Sequence, residues 1–179
     1  MSRSGGEPRR YEEPRAHALR ERYLRTFGGR EIPVPVESIA EDLLGLRIEL
    51  AEMDCSGMLL PLQRLIRLRE AEASREEQPL RRHHFTIAHE LGHWICHALE
   101  AEAPAVTFCR ANDISHVAER AIEREANVFA AELLMPEPAV HTAWNELGDL
   151  EQVAARFDVS PNAMHWRLYS FALLIDPPP

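Results

Sequence analysis

The spacing of apolar positions changes period twice along the chain. In PRAHALRERYLRTFGG, Ala16, Leu19, Tyr23 and Phe27 recur at intervals of three and four, which predicts a helix ended by Gly28 and Gly29. IPVPV is expected to be extended, because each proline restricts the residue before it. ESIAEDLLG reads as a short helix closed by Gly45. The period then drops to two. LRIELAEM and LIRLRE alternate apolar with polar residues, with SGMLLP between them, and predict two or three strands of a small antiparallel sheet.

Helical spacing returns from about Arg82 to Ala101, again from about Ile114 to Leu134 before Pro136, and over PEPAVHTAWNEL. DLEQVAARFDVSPNAMHWRLYSF reads as helix, tight turn and helix. Three stretches carry no period: residues 1–13, read as a mobile tail; EAEASREEQPLRR, a charged connector; and APAVTFCRAND, a loop. The expected fold class is α+β. Residues 14–179 form a mainly helical domain with a small three-stranded antiparallel sheet and a C-terminal helical hairpin at 149–175 that resembles a helix-turn-helix.

Composition narrows the function classes. At 179 residues with 45% hydrophobic, the chain can build one domain with a real core. Lys and Arg number 20 against 29 Asp and Glu, a formal charge of −9, and the pI is about 5.5. Non-specific nucleic-acid binding needs a basic surface, so direct nucleic-acid binding is not expected. No apolar run approaches a membrane span, and MSRSGGEPRRYEEPR lacks the apolar stretch of a secretory signal. Cys55, Cys96 and Cys109 are odd in number and lack C-x-x-C spacing. No disulfide framework is expected, and the default location is a reducing cytoplasm.

The candidate chemistry lies in FTIAHELGHWICH, residues 85–97. His89 and His93 are four apart, so a helix turns both imidazoles to one face and towards one ion. Glu90 sits beside the first, placed to act as general base on a water whose pKa the metal lowers. The apolar flanks put the motif on a buried helix. Gly92 costs about 1 kcal/mol of helix propensity, which suggests that another backbone packs close. His97 shares the face, but it lies about 12 Å along the axis from His89, too far for one ion at about 2 Å per bond. Its expected place is behind the ligands or at the helix end. Cys96 is expected to be a buried thiol.

A third ligand should come from a facing helix, and AERAIEREANVFAAELLMP offers two acids. Glu123 and Glu125 lie about 200° apart around a helix, so one at most can face the metal. Glu123 shares its face with Asn127, which could hydrogen-bond a ligand histidine from behind. Glu125 is the rival. His141, His165 and Tyr169 are candidates to stabilise an oxyanion, with nothing to select among them.

RRHHFTIAHELGHWICH followed by EREANVFAAELLMP resembles the ImmA/IrrE metallopeptidases of bacteria and their mobile elements. VAARFDVSPNAMHWRL is similar to a weaker third motif of that family, and together the likeness runs over roughly residues 31–175. The resemblance implies a zincin-like domain and a gluzincin-like site holding Zn2+, or another divalent metal such as Mn2+. It favours Glu123 over Glu125 as third ligand. It implies an endopeptidase that cuts a helix-turn-helix (XRE-type) repressor and so releases stress or mobile-element genes. The extra helix-turn-helix and sensor domains of many members are not expected here.

Two rival readings remain. The chain could sequester a repressor without cutting it, in a metal-dependent way. It could also bind DNA through residues 149–172, although SPNAMHWRLYS has one Arg and no Lys with which to meet phosphates. A peptide substrate is expected to add as a strand to an exposed sheet edge beside the metal cleft.

Overall fold

Helix α1 (Glu12–Phe27) buries Ala16 and Leu19 and half-buries Tyr23, the stripe that the spacing predicts. It ends at Gly28, whose φ of +70° closes the last turn. The computed structural model describes residues 12–70, 78–98, 108–109 and 117–178, and of these the side chains of 14–70, 83–98 and 120–178. Of the tail expected over residues 1–13, residues 1–11 lie outside the described residues and Glu12 and Glu13 begin α1; most of the charged connector and of the 103–113 loop also lie outside. Helix α2 (Val36–Ser38) runs on into a wider π turn, Ile39–Leu43, and Gly45 at φ +63° follows it.

The sheet differs from the expected three antiparallel strands. Among the described residues it has four strands: β1 (Arg47–Ala51), β2 (Gly57–Leu60), β3 (Leu65–Arg69) and β4 (Phe108–Cys109), in the order β1-β3-β2-β4. β2 and β3 form an antiparallel hairpin with Leu59 opposite Ile66, and β2 pairs antiparallel with β4. β1 pairs with the far side of β3 and is parallel to it, with Ile48 opposite Ile66. An alternating pattern says which face of a strand is buried, not which way its partner runs. Here β1 skips its sequence neighbour β2 and lies along the other side of β3. The two residues of β4 fall within the expected loop.

Helix α3 (Gln78–His93) continues as a π-helical segment, Trp94–Ala98. One side meets β2 and β3, whose Leu59, Ile66 and Leu68 are buried. Another meets α4 (Val117–Leu134), which buries Ala126, Phe129, Ala130 and Leu133. Helices α5 (Glu137–Leu147), α6 (Leu150–Phe157) and α7 (Pro161–Ser170) follow. Asp149 accepts from Gln152 N and Ser160 from Ala163 N, so each helix of the C-terminal hairpin has a side-chain cap. The hairpin is fastened to α4 from below. Arg167 and Glu132, both 7% exposed, meet through both guanidinium nitrogens at 2.8 and 2.7 Å, and Arg167 Nε donates to Met135 O.

The cysteines depart from expectation. Cys55, just ahead of β2, is disulfide-bonded, while Cys96 is buried and outside any disulfide. Spacing rules miss such a bond because its ends meet only through the tertiary fold.

Candidate metal centre

The central turns of α3 are buried on nearly all sides. His89, Glu90 and His93 are each 0% exposed, an expensive environment for three ionisable groups unless they serve one another. Gly92 explains how the facing helix comes so near. A Cβ there would stand 2.9 Å from Ala126 Cα and 3.0 Å from Ala126 O, so α3 and α4 touch backbone to backbone, as the helix-breaking glycine suggests.

That contact sets the register of the two helices. His93 Nε2 lies 3.1 Å from Glu123 Oε1, and His89 Nε2 lies 3.1 Å from Glu123 Oε2. The two Nε2 atoms are themselves 3.1 Å apart. Two imidazole nitrogens and the two oxygens of one carboxylate thus converge. Tetrahedral ligands on an ion with bonds of about 2.0–2.1 Å stand about 3.3–3.4 Å from one another. The residues therefore fit a divalent metal of the zinc type, with two imidazole nitrogens and one carboxylate.

The electrostatics suit the same use. Burial pushes the Glu123 carboxyl up, but hydrogen bonds and charge from His89 and His93 outweigh it and hold its pKa at about 2. Glu123 is therefore ionised at neutral pH. Burial pushes His93 down, aided by His89 and against the pull of Glu123. That favours the neutral ring, the form that ligates.

Behind this group, His89 Nδ1 lies 3.1 Å from Asn127 Oδ1. Glu125 faces elsewhere: its Oε2 is 3.8 Å from His97 Nε2. His97 sits in the π-helical segment with its ring 5.5 Å from that of His93, and its pKa is lowered by burial and by His93. Cys96 is buried, as expected.

Glu90 lies against β2 of the sheet. A Cβ on Gly57 of β2 would meet its Oε1 at 2.7 Å and Thr86 Cγ2 at 2.4 Å. Sequence reading missed Gly57 and Thr86. The signal was a glycine inside a strand, which marks a close approach. β2 is not an edge strand, since β4 pairs along its outer side at Met58 and Leu59.

The oxyanion candidates make their contacts elsewhere. His141 pairs with Glu137 at 3.6 Å and lies against Phe171. His165 Nε2 is 3.0 Å from Asp176 O. Tyr169 is 40% exposed and edge-on to Trp166. The cluster whose donor atoms lie within 4.8 Å of one another is His89, His93 and Glu123.

Comparison with known proteins agrees with this geometry. No curated protein matches the chain. A solved structure described as a Mycobacterium tuberculosis transcriptional regulator superposes with a TM-score of 0.59 at 21% identity, over 89% of this chain and 49% of the other. That likeness is one of fold, and this chain spans about half the length of that protein. The profile of the Peptidase_M78 family, the IrrE N-terminal-like domain, matches residues 63–169, which takes in α3, α4 and the paired motifs they carry. With most of its length so matched, the chain belongs to the Peptidase_M78 family.

Proposed function

We infer that the chain is a zinc-dependent endopeptidase, with His89, His93 and Glu123 as metal ligands and Glu90 as general base. The observation that carries this reading is the meeting of His89, His93 and Glu123, the two Nε2 atoms 3.1 Å apart and each 3.1 Å from one Glu123 oxygen, beside the buried carboxylate of Glu90. A zinc ion held there would polarise the scissile carbonyl and acidify the attacking water. His89 and His93 present Nε2, and Asn127 keeps the His89 proton on Nδ1. Glu90 takes the proton of the attacking water on its carboxylate and returns it to the leaving amine. The packed faces of α3, α4 and the sheet keep the proton transfer away from bulk water.

The substrate of this reading is a helix-turn-helix repressor of the XRE type. The family supports a peptide as substrate, and the description of the solved relative as a transcriptional regulator supports a regulatory setting. DNA as the ligand is disfavoured by α7 itself. Its one Arg, Arg167, is buried against Glu132, so the helix offers phosphates no cation. Among the described residues no helix is long and apolar enough to cross a membrane.

The test is incubation of the zinc-loaded chain with an XRE-type repressor encoded beside it, read by mass spectrometry. Defined fragments should appear with the wild type and not with Glu90→Gln, while both forms bind the repressor. Equal binding without fragments from either form would favour sequestration over cleavage.

A further inference from the structure

β2 begins at Gly57, and its backbone does not call for glycine. Its φ is not in the left-handed region, and it pairs with Leu68 of β3 in an ordinary antiparallel ladder. Glycine in a strand weakens it, having no side chain to pack and more freedom to lose on folding. The requirement comes from space. The hydrogen that stands where a side chain would be faces Thr86 Cγ2 and the carboxylate of Glu90, at 2.4 and 2.7 Å from a Cβ built there. Thr86 and Glu90 are four apart on α3, stacked on one face, and both are 0% exposed.

We propose that Gly57 is a positioning residue for Glu90: the bare backbone of β2 sets where the general base stands relative to the His89–His93–Glu123 group. This rests on the endopeptidase reading above.

The nature of the clash makes the proposal specific. Neither obstacle is backbone. Both are side-chain atoms: the Glu90 carboxylate ends a flexible chain and yields to an added methyl, whereas Thr86, β-branched and stiff at χ1, yields less and costs stability. From 2.7 Å to the 3.4 Å of ordinary contact, Glu90 Oε1 retreats by about 0.7 Å. From 2.4 Å to the same contact, Thr86 Cγ2 retreats by about 1.0 Å. A misplacement of about 1 Å in a reacting group costs about 10²-fold in rate. The metal-binding donors are not among the three atoms nearest the new methyl, so zinc binding is left alone.

The test uses Gly57→Ala and the double variant Gly57→Ala/Thr86→Ser in the full chain. Four quantities are read: zinc affinity, thermal stability, the carboxyl 13C resonance of Glu90 at one fixed pH, and cleavage of the repressor. Gly57→Ala should bind zinc as the wild type does, shift the Glu90 resonance and cut about 10²-fold more slowly. Thr86→Ser removes the crowded methyl, so the double variant should regain stability and not cleavage. Rescue of cleavage by Thr86→Ser would show that packing against Thr86 is what needs glycine, and would overturn the proposal. Wild-type cleavage by Gly57→Ala, or an unmoved Glu90 resonance, would overturn it too. If the wild type cuts no repressor, the endopeptidase reading fails, while the Glu90 resonance still decides what Gly57 does.

Discussion

Asn127 Oδ1 lies 3.1 Å from His89 Nδ1, one turn along α4 from Glu123, whose carboxylate meets the opposite nitrogen of the same ring. An amide oxygen can only accept, so it places the His89 proton on Nδ1 and leaves Nε2 a lone pair aimed at the metal position. Asn127→Ala should therefore weaken zinc binding by about 10–100-fold, the usual cost of removing a partner behind a ligand. A competition titration against a zinc-binding dye measures it. An affinity equal to the wild type's would mean that the ring is oriented by packing alone.

Glu123 and Glu125 separate in the same titration. Glu123 touches both histidines of the donor group, and Glu125 faces His97. Glu123→Gln should weaken zinc binding by more than about 100-fold, since losing a ligand outweighs losing its outer partner. Glu125→Gln and His97→Ala should leave one zinc per chain. The opposite ranking of the two glutamates would reassign the register of α4 on α3.

Gly92→Ala sets two physical terms against each other. Alanine gains about 1 kcal/mol of helix propensity. Its Cβ, however, would stand 2.9 Å from Ala126 Cα and 3.0 Å from its carbonyl oxygen, and backbone cannot swing aside as a side chain can. Overpacking of this kind costs about 1–3 kcal/mol. The variant should lose stability and bind zinc more weakly, because pushing α4 away carries Glu123 from the histidines. Chemical denaturation and zinc titration should move together, and a stabilised variant with wild-type affinity would contradict the close approach.

His84 provides a pH dependence away from the metal centre. Its Nε2 lies 2.9 Å from Glu37 Oε1 and its Nδ1 2.9 Å from Asp158 Oδ2, so it ties α2 and the turn before α7 to α3. Donating to both carboxylates requires the imidazolium. The hydrogen bond to Glu37 raises the His84 pKa above 6.5, against burial, with the charges of Glu37 and Asp158 adding to it. A raised histidine stabilises the fold below its unfolded pKa, and that stability is lost as pH rises through the folded value. Burial raises Glu37, but His84, with a smaller push from His83, brings it below 4.5, so its share is lost as pH falls through that lowered value. The clamp should be strongest between about pH 4.5 and 6.5 and fade above. The difference in melting temperature between wild type and His84→Gln, followed from pH 5 to 9, should shrink as pH rises. A difference that stays constant would mean that the clamp does not depend on the charge of His84.

The sequence by itself determined whatever is set within one or two turns of chain. The 3.6-residue spacing placed the helices, including the buried α3 and α4, and alternation marked residues 46–70 as strands. It also determined that His89 and His93 share a face, because a four-residue step on a helix is fixed by backbone geometry. Gly92 even announced a close neighbour, since a costly glycine in a helix needs a reason. Tertiary structure decided the partners. Alternation is identical in parallel and antiparallel strands, so only packing could lay β1 parallel to β3 and put β4 outside β2. Residues 123 and 125 are both acidic, and which one meets the histidines depends on how far α4 slides along α3, a distance set where Gly92 meets Ala126. Gly57 under Glu90, and His84 between Glu37 and Asp158, join segments far apart in sequence. No local pattern encodes such meetings, because they follow from the shapes of surfaces that exist only once the chain has folded.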